Sequence, residues 1–99
     1  MLEENTMLKQ RSLRDLVSVG PAIVRDFEIL GIHRVDQLAT QDARYLYEKL
    51  CSLTGKRQDI CCLDVFSAAI AQARDPWLPR EQCQWWYWSR MRKAASEDQ

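Results

Sequence analysis

The stretch from Leu13 to Ile32, LRDLVSVGPAIVRDFEILGI, constrains the fold more than any other part of the chain. Leu13, Leu16 and Val17 make the apolar face of a short helix, with Ser12 as its predicted N-cap. Ser18-Val19-Gly20 reads as a turn, with Gly20 at the position expected to need positive φ. Pro21 suits the first position of a second helix, where its missing N–H is no loss. Ile23, Val24, Phe27 and Leu30 fall on one face of that helix, and Arg25, Asp26 and Glu28 on the other. Gly31 stands where a left-handed C-terminal cap is wanted. Two amphipathic helices joined so tightly must double back on each other.

The same grammar continues downstream. A short helix is predicted over Val35 to Ala39, then a longer one over Gln41 to Leu53, capped by Thr40 and closed by Gly55. Ala43, Leu46, Tyr47 and Leu50 are its inward positions. After a polar, basic loop (Lys56-Arg57-Gln58), Asp59 is the predicted N-cap of the best-patterned helix. Its stripe is Cys61, Cys62, Val65, Phe66, Ala69 and Ala73. Asp75-Pro76 ends it, because the residue before proline avoids helical geometry. With 99 residues, 46% of them hydrophobic, there is one core and no room for a second. The expected fold is all-α, a compact bundle of about five helices. Residues 1–12 read as a flexible arm, 13–93 as the single domain and 94–99 as a loose tail.

Several function classes are disfavoured. The first dozen residues are polar and carry no apolar run of signal-peptide length. No apolar run approaches the roughly 20 residues that span a bilayer, so a cytoplasmic chain without a membrane partner is expected. Cys51, Cys61, Cys62 and Cys83 lack a CxxC spacing and His33 is the single histidine, so reduced thiols and no metal are expected. Nothing calls for a cofactor or a small-molecule substrate. The 14 basic and 14 acidic residues cancel, which argues against a strongly polyanion-seeking surface. The balance is local, though, with basic residues outnumbering acidic ones by two between Lys9 and Arg34.

The pattern around Gly20 and Pro21 is that of a helix-hairpin-helix. In that unit the N–H groups at the start of the second helix have no intrahelical partner. Together with the positive end of the helix dipole they make an anion site. Val19, Gly20, Ala22 and Ile23 are the expected backbone donors, with Arg25 and Arg14 as charge support. Such a clip holds phosphate, reads no bases and weakens with salt. Ser18 stands where DNA-binding hairpins often have a first glycine, and Ala22 where they often carry lysine. A Gly-Pro turn also serves as plain helix-pair architecture, and the pattern alone does not choose between the two.

From Leu13 to about Trp88 the chain resembles a bacterial helix-hairpin-helix family of pathogenicity-locus or mitomycin-resistance proteins. It is more distantly similar to the C-terminal domain of the competence regulator TfoX. The matching stretches are LRDLVSVGPAIVRDF, LGIHRVDQLA, YEKLCSLTGKRQDICCLDVFSAAIAQA and QWWYW. The block with Leu53-Thr54-Gly55, Asp59, Cys61 and Leu63-Asp64-Val65-Phe66 is the most specific of these. Arg34 stands where relatives often place threonine, which leaves the cap of the short third helix open. The resemblance implies a SAM-domain-like bundle with a link to DNA and no established enzymatic activity.

Two other constellations remain. Asp59, Cys61 and Asp64 bring two carboxylates near a thiol, a combination suited to acid-base or nucleophilic work. The structural account is favoured: Asp59 as cap, Cys61 in the stripe, and Asp64 bonded to a neighbouring turn such as that at Gly55. A non-enzymatic role is therefore expected. The cluster Trp85-Trp86-Tyr87-Trp88, followed by Arg90, Arg92 and Lys93, is expected to fold back and seal the small core. If it is helical, Trp85 and Trp88 share a face and Trp86 points elsewhere. Trp85, Trp86 and Trp88 are thus the candidates for a protein partner, a second copy of the chain, or stacking on single-stranded bases.

Overall fold

The structure is a computed structural model that describes residues 11–97. Its described residues form five α-helices: α1 (Pro21–Ile29), α2 (Val35–Leu38), α3 (Ala43–Thr54), α4 (Cys61–Arg74) and α5 (Trp85–Glu97). Single 3-10 turns lie at Leu13–Asp15 and Arg80–Cys83, and no strand occurs among the described residues. The all-α reading holds. Of the arm read over 1–12, residues 1–10 lie outside the described residues. Residues 94–97, read as a loose tail, continue α5, since nothing after Pro79 is a glycine or proline to break it.

Helix α4 is the hub, packed against α2, α3 and α5. The stripe read from the sequence is only part of what it buries. Leu63, Asp64, Phe66, Ala68, Ala69, Ile70 and Gln72 are all inaccessible, so both flanks of the helix are covered. Phe27 of α1 meets Phe66 of α4 with ring centroids 5.3 Å apart, which seats the hairpin on the hub. Leu46, Tyr47 and Leu50 of α3 complete the core, with Leu30, Ile32, Val35 and Leu38 from α1 and α2.

The element ends show local chemistry at work. Gly31, at φ +79°, closes α1: its N–H donates to the Glu28 carbonyl at 3.0 Å, and the Ile32 N–H to that of Phe27 at 2.8 Å. Gly55, at φ +72°, closes α3 in the same way. Arg34 offers α2 no acceptor, but Gln37 Oε1 takes the N–H groups of His33 and Arg34 at 2.7 and 3.0 Å. The cap of α3 is a correction: Asp42, not Thr40, accepts the Tyr45 N–H at 2.9 Å. The Gln41 N–H still bonds the Leu38 carbonyl, so the chain is leaving α2 where the sequence suggested a new helix.

The aromatic cluster is a second correction. Trp85 and Trp86 are each 39% exposed and Trp77 is 81% exposed, all outside the core cluster. Tyr87 and Trp88 are half-buried and stack edge-on at 5.3 Å, with Trp88 Nε1 donating to the Gln82 carbonyl at 2.7 Å. The leucines and phenylalanines of α1 to α4 already fill the centre. Helix α5 offers α4 the buried Ser89 and the half-buried Arg92, and its first two indoles are left at the rim.

Candidate nucleic-acid interface

The first arm of the hairpin is shorter than its sequence suggests. Ser12 caps it as expected: its Oγ accepts the Arg14 N–H at 3.1 Å, and Asp15 returns the bond to the Ser12 N–H at 2.8 Å. Only one 3-10 turn follows. Leu13 and Leu16 are buried as expected, but Val17, placed with them on the apolar face, is 41% exposed, because no second helical turn brings it round.

The turn itself differs from expectation at one position. Gly20 is extended, with φ −101°, and Ser18 carries the positive φ, at +74°. Ser18 therefore carries the left-handed backbone that the sequence assigned to Gly20. Its hydroxyl gives a reason for the exchange. Ser18 Oγ donates to the Cys83 carbonyl at 3.4 Å and accepts the Trp85 N–H at 3.2 Å, tying the turn to the start of α5.

Gln72 of α4, which the sequence reading did not single out, holds the other side. Its Oε1 accepts the Val17 N–H and its Nε2 donates to the Val17 carbonyl, both at 2.9 Å. The same amide approaches the Ala68 and Cys83 carbonyls at 3.2 and 3.4 Å. Arg11 spans the end of α4, donating to the Gln72 and Ala73 carbonyls at 3.1 and 3.3 Å, where a cation also suits the helix dipole. The only sequence signal for Gln72 is a polar residue amid the small apolar residues of a buried helix.

Of the four expected donors, Val19 is already used: its N–H reaches the Leu16 carbonyl at 3.2 Å. Its side chain is buried as well. The amides of Gly20, Ala22 and Ile23 meet no acceptor among the described residues, and the first bond into α1 is from Val24 to the Gly20 carbonyl at 3.0 Å. Ala22 is exposed, Gly20 and Ile23 half-buried. Arg14 and Arg25 are exposed and form no ion pair among the described residues. Asp26 lies on the same helix; burial raises its carboxyl above the usual 3.8, with Arg25 pulling it back.

The Asp59–Cys61–Asp64 group separates into structural parts. The N-cap of α4 is Ile60, not Asp59 as read from the sequence. Asp59, one residue earlier, still accepts the Cys61 N–H on Oδ1 at 2.9 Å, and that bond holds its carboxyl below 3.8. Burial, then Asp59, pushes the Cys61 thiol up; Cys62 and Cys83 are raised chiefly by burial. Asp64 does not bond the turn at Gly55. It takes both Arg92 Nε and Nη2 at 2.9 Å in a bidentate pair between α4 and α5. The sequence offered no way to choose Arg92 among the cations of the last helix.

A family described as Cdd1, pathogenicity locus, matches residues 6–94. The chain belongs to that family. It is also 38% identical over 81 residues to the mitomycin resistance protein McrB of Streptomyces lavendulae, covering 82% of this chain and 73% of that one. No solved structure matches. The Cdd1 match takes in the hairpin, the hub helix and the aromatic start of α5 together. No helix among the described residues is long and apolar enough to cross a membrane.

Proposed function

We infer that this chain is a non-enzymatic binding domain that holds nucleic-acid backbone through the hairpin, without reading sequence. The observation that carries the reading is the set of amides of Gly20, Ala22 and Ile23, without acceptors among the described residues, at the start of the nine-residue α1, flanked by exposed Arg14 and Arg25. Oriented N–H groups at a helix start favour phosphate oxygens. Val19, counted among the donors from sequence, is replaced in this role by nothing, since its N–H is internal. The zero net charge limits affinity, so the grip is modest and strongly salt-dependent. The relative's name attaches it to mitomycin resistance, and we carry that setting over to this chain.

The test is fluorescence anisotropy on labelled duplex DNA across a salt series. Two arginine–phosphate contacts give a slope of log K against log salt of roughly −2. Arg25→Glu and Gly20→Asp are expected to weaken binding at least about tenfold at low salt. Gly20 has an extended backbone and no atom within 4 Å of a built Cβ, so the aspartate fits without disturbing the turn. No binding at low salt, or wild-type affinity in both folded variants, overturns the reading.

A further inference from the structure

A groove of about 380 Å³ lies between the start of α4 and the outer side of α5. Ile60 and Cys61 form one wall, Trp85 and Trp86 the other, and Arg90 and Lys93 stand at its edge. No aspartate or glutamate lines it. Its size is within the range of small-ligand clefts. Arg90 lies over the Trp86 ring, 4.9 Å from its centroid, so a cation sits on one face of that indole and the other face remains for a flat ligand. Both exposed cations are without a carboxylate partner among the described residues, whereas Arg92 is consumed by Asp64.

We propose that this groove binds single-stranded nucleic acid, an unpaired base stacking on the Trp85–Trp86 wall while Arg90 and Lys93 meet its flanking phosphates. Flat rings beside exposed cations match a ligand made of flat bases and anionic linkers, and stacking of this kind tolerates any base. A protein partner would use the rings but leaves the two exposed cations and the lack of acids in the groove unexplained. The position in the fold agrees: the Trp85 N–H donates to the Ser18 hydroxyl in the hairpin turn, so groove and turn are joined through that side chain. The groove's own residues do not include the hairpin donors, and the site stands without them.

The test measures a short labelled oligothymidylate and a blunt duplex by anisotropy, with tryptophan emission followed in parallel. Wild type is expected to bind the single strand with quenching of tryptophan. Trp86→Ala should lose about tenfold or more on the single strand, while duplex affinity is unchanged. Arg90→Glu should act in the same direction. Trp77→Ala removes a more exposed indole beyond the far end of α4, and should change neither. Failure of the hairpin reading looks different: Arg25→Glu then spares the duplex while Trp86→Ala still governs the single strand. The proposal is overturned if oligothymidylate does not bind at low salt, or if Trp86→Ala binds it as well as wild type. It is equally overturned if sedimentation shows self-association that Trp86→Ala abolishes in a protein that ignores the oligonucleotide.

Discussion

The side chain of Gln72 pairs with the backbone of Val17 on both its faces, accepting the N–H and donating to the carbonyl at 2.9 Å each. One amide thus does for the entrance of the hairpin what a neighbouring strand does in a sheet. Gln72 is buried but Val17 is 41% exposed, so each lost bond costs less than a fully buried peptide group without a partner, which is about 1–3 kcal/mol. Gln72→Leu keeps the volume but strands both groups of Val17. It should lower the unfolding free energy by roughly 1–3 kcal/mol in urea titrations. A loss below about 1 kcal/mol would mean that water replaces the amide there.

Ser18 sets two local preferences against each other. Its φ of +74° strains any residue with a Cβ by about 1–2 kcal/mol, yet its hydroxyl links the turn to Cys83 and Trp85. Glycine removes the strain and the links together, whereas alanine keeps the strain and loses the links. Ser18→Gly is therefore expected within about 1 kcal/mol of wild type, and Ser18→Ala about 1 kcal/mol or more below Ser18→Gly. Chemical denaturation of the three proteins gives the order directly. An alanine variant as stable as the glycine variant contradicts the left-handed assignment.

Much of this architecture is visible in the sequence because it is local. Pro21 opening α1, Gly31 and Gly55 closing their helices, Ser12 as cap and the stop at Asp75-Pro76 each depend on neighbours a few residues away. The misplacements share a different cause. Gly20 and Ser18 exchanged roles because the hydroxyl partners of Ser18 lie 65 and 67 residues downstream. The rim position of Trp85 and Trp86 depends on how much core the earlier helices had already filled, and periodicity carries no record of that. In the candidate site, Arg14, Arg25, Gly20, Ala22 and Ile23 follow from the hairpin pattern, but the use of the Val19 N–H by Leu16 depends on the 3-10 turn.

Asp64 and Arg92 form the one ion pair that joins two helices among the described residues. The Asp64 side chain is 2% exposed and that of Arg92 24%. Removing one partner of such a pair leaves a buried charge alone, whereas replacing both by apolar groups of similar size does not. Arg92→Ala is expected to cost about 3–5 kcal/mol. The double variant Asp64→Leu/Arg92→Met should recover most of that loss in the same urea titration. Equal damage in single and double variants would show that the pair contributes shape and not charge compensation.

Acid dependence separates the two aspartates whose carboxyls are displaced in opposite directions. The Cys61 N–H holds Asp59 below 3.8, so the stability it lends is complete above 3.8 and is lost as pH falls through the lower folded value. Burial holds Asp26 above 3.8 against the pull of Arg25, so its charged form opposes folding and its contribution worsens as pH rises from 3.8 through the raised value. Asp26→Asn should accordingly raise the melting temperature at pH 7, an advantage that shrinks on acidification and vanishes below about pH 3.8. Asp59→Asn keeps an acceptor for the Cys61 N–H and should match wild type near neutrality while losing less on acidification. Thermal melts followed by circular dichroism across that range decide both. A melting temperature at pH 7 that falls in Asp26→Asn would mean that its attraction to Arg25 outweighs the burial of its charge.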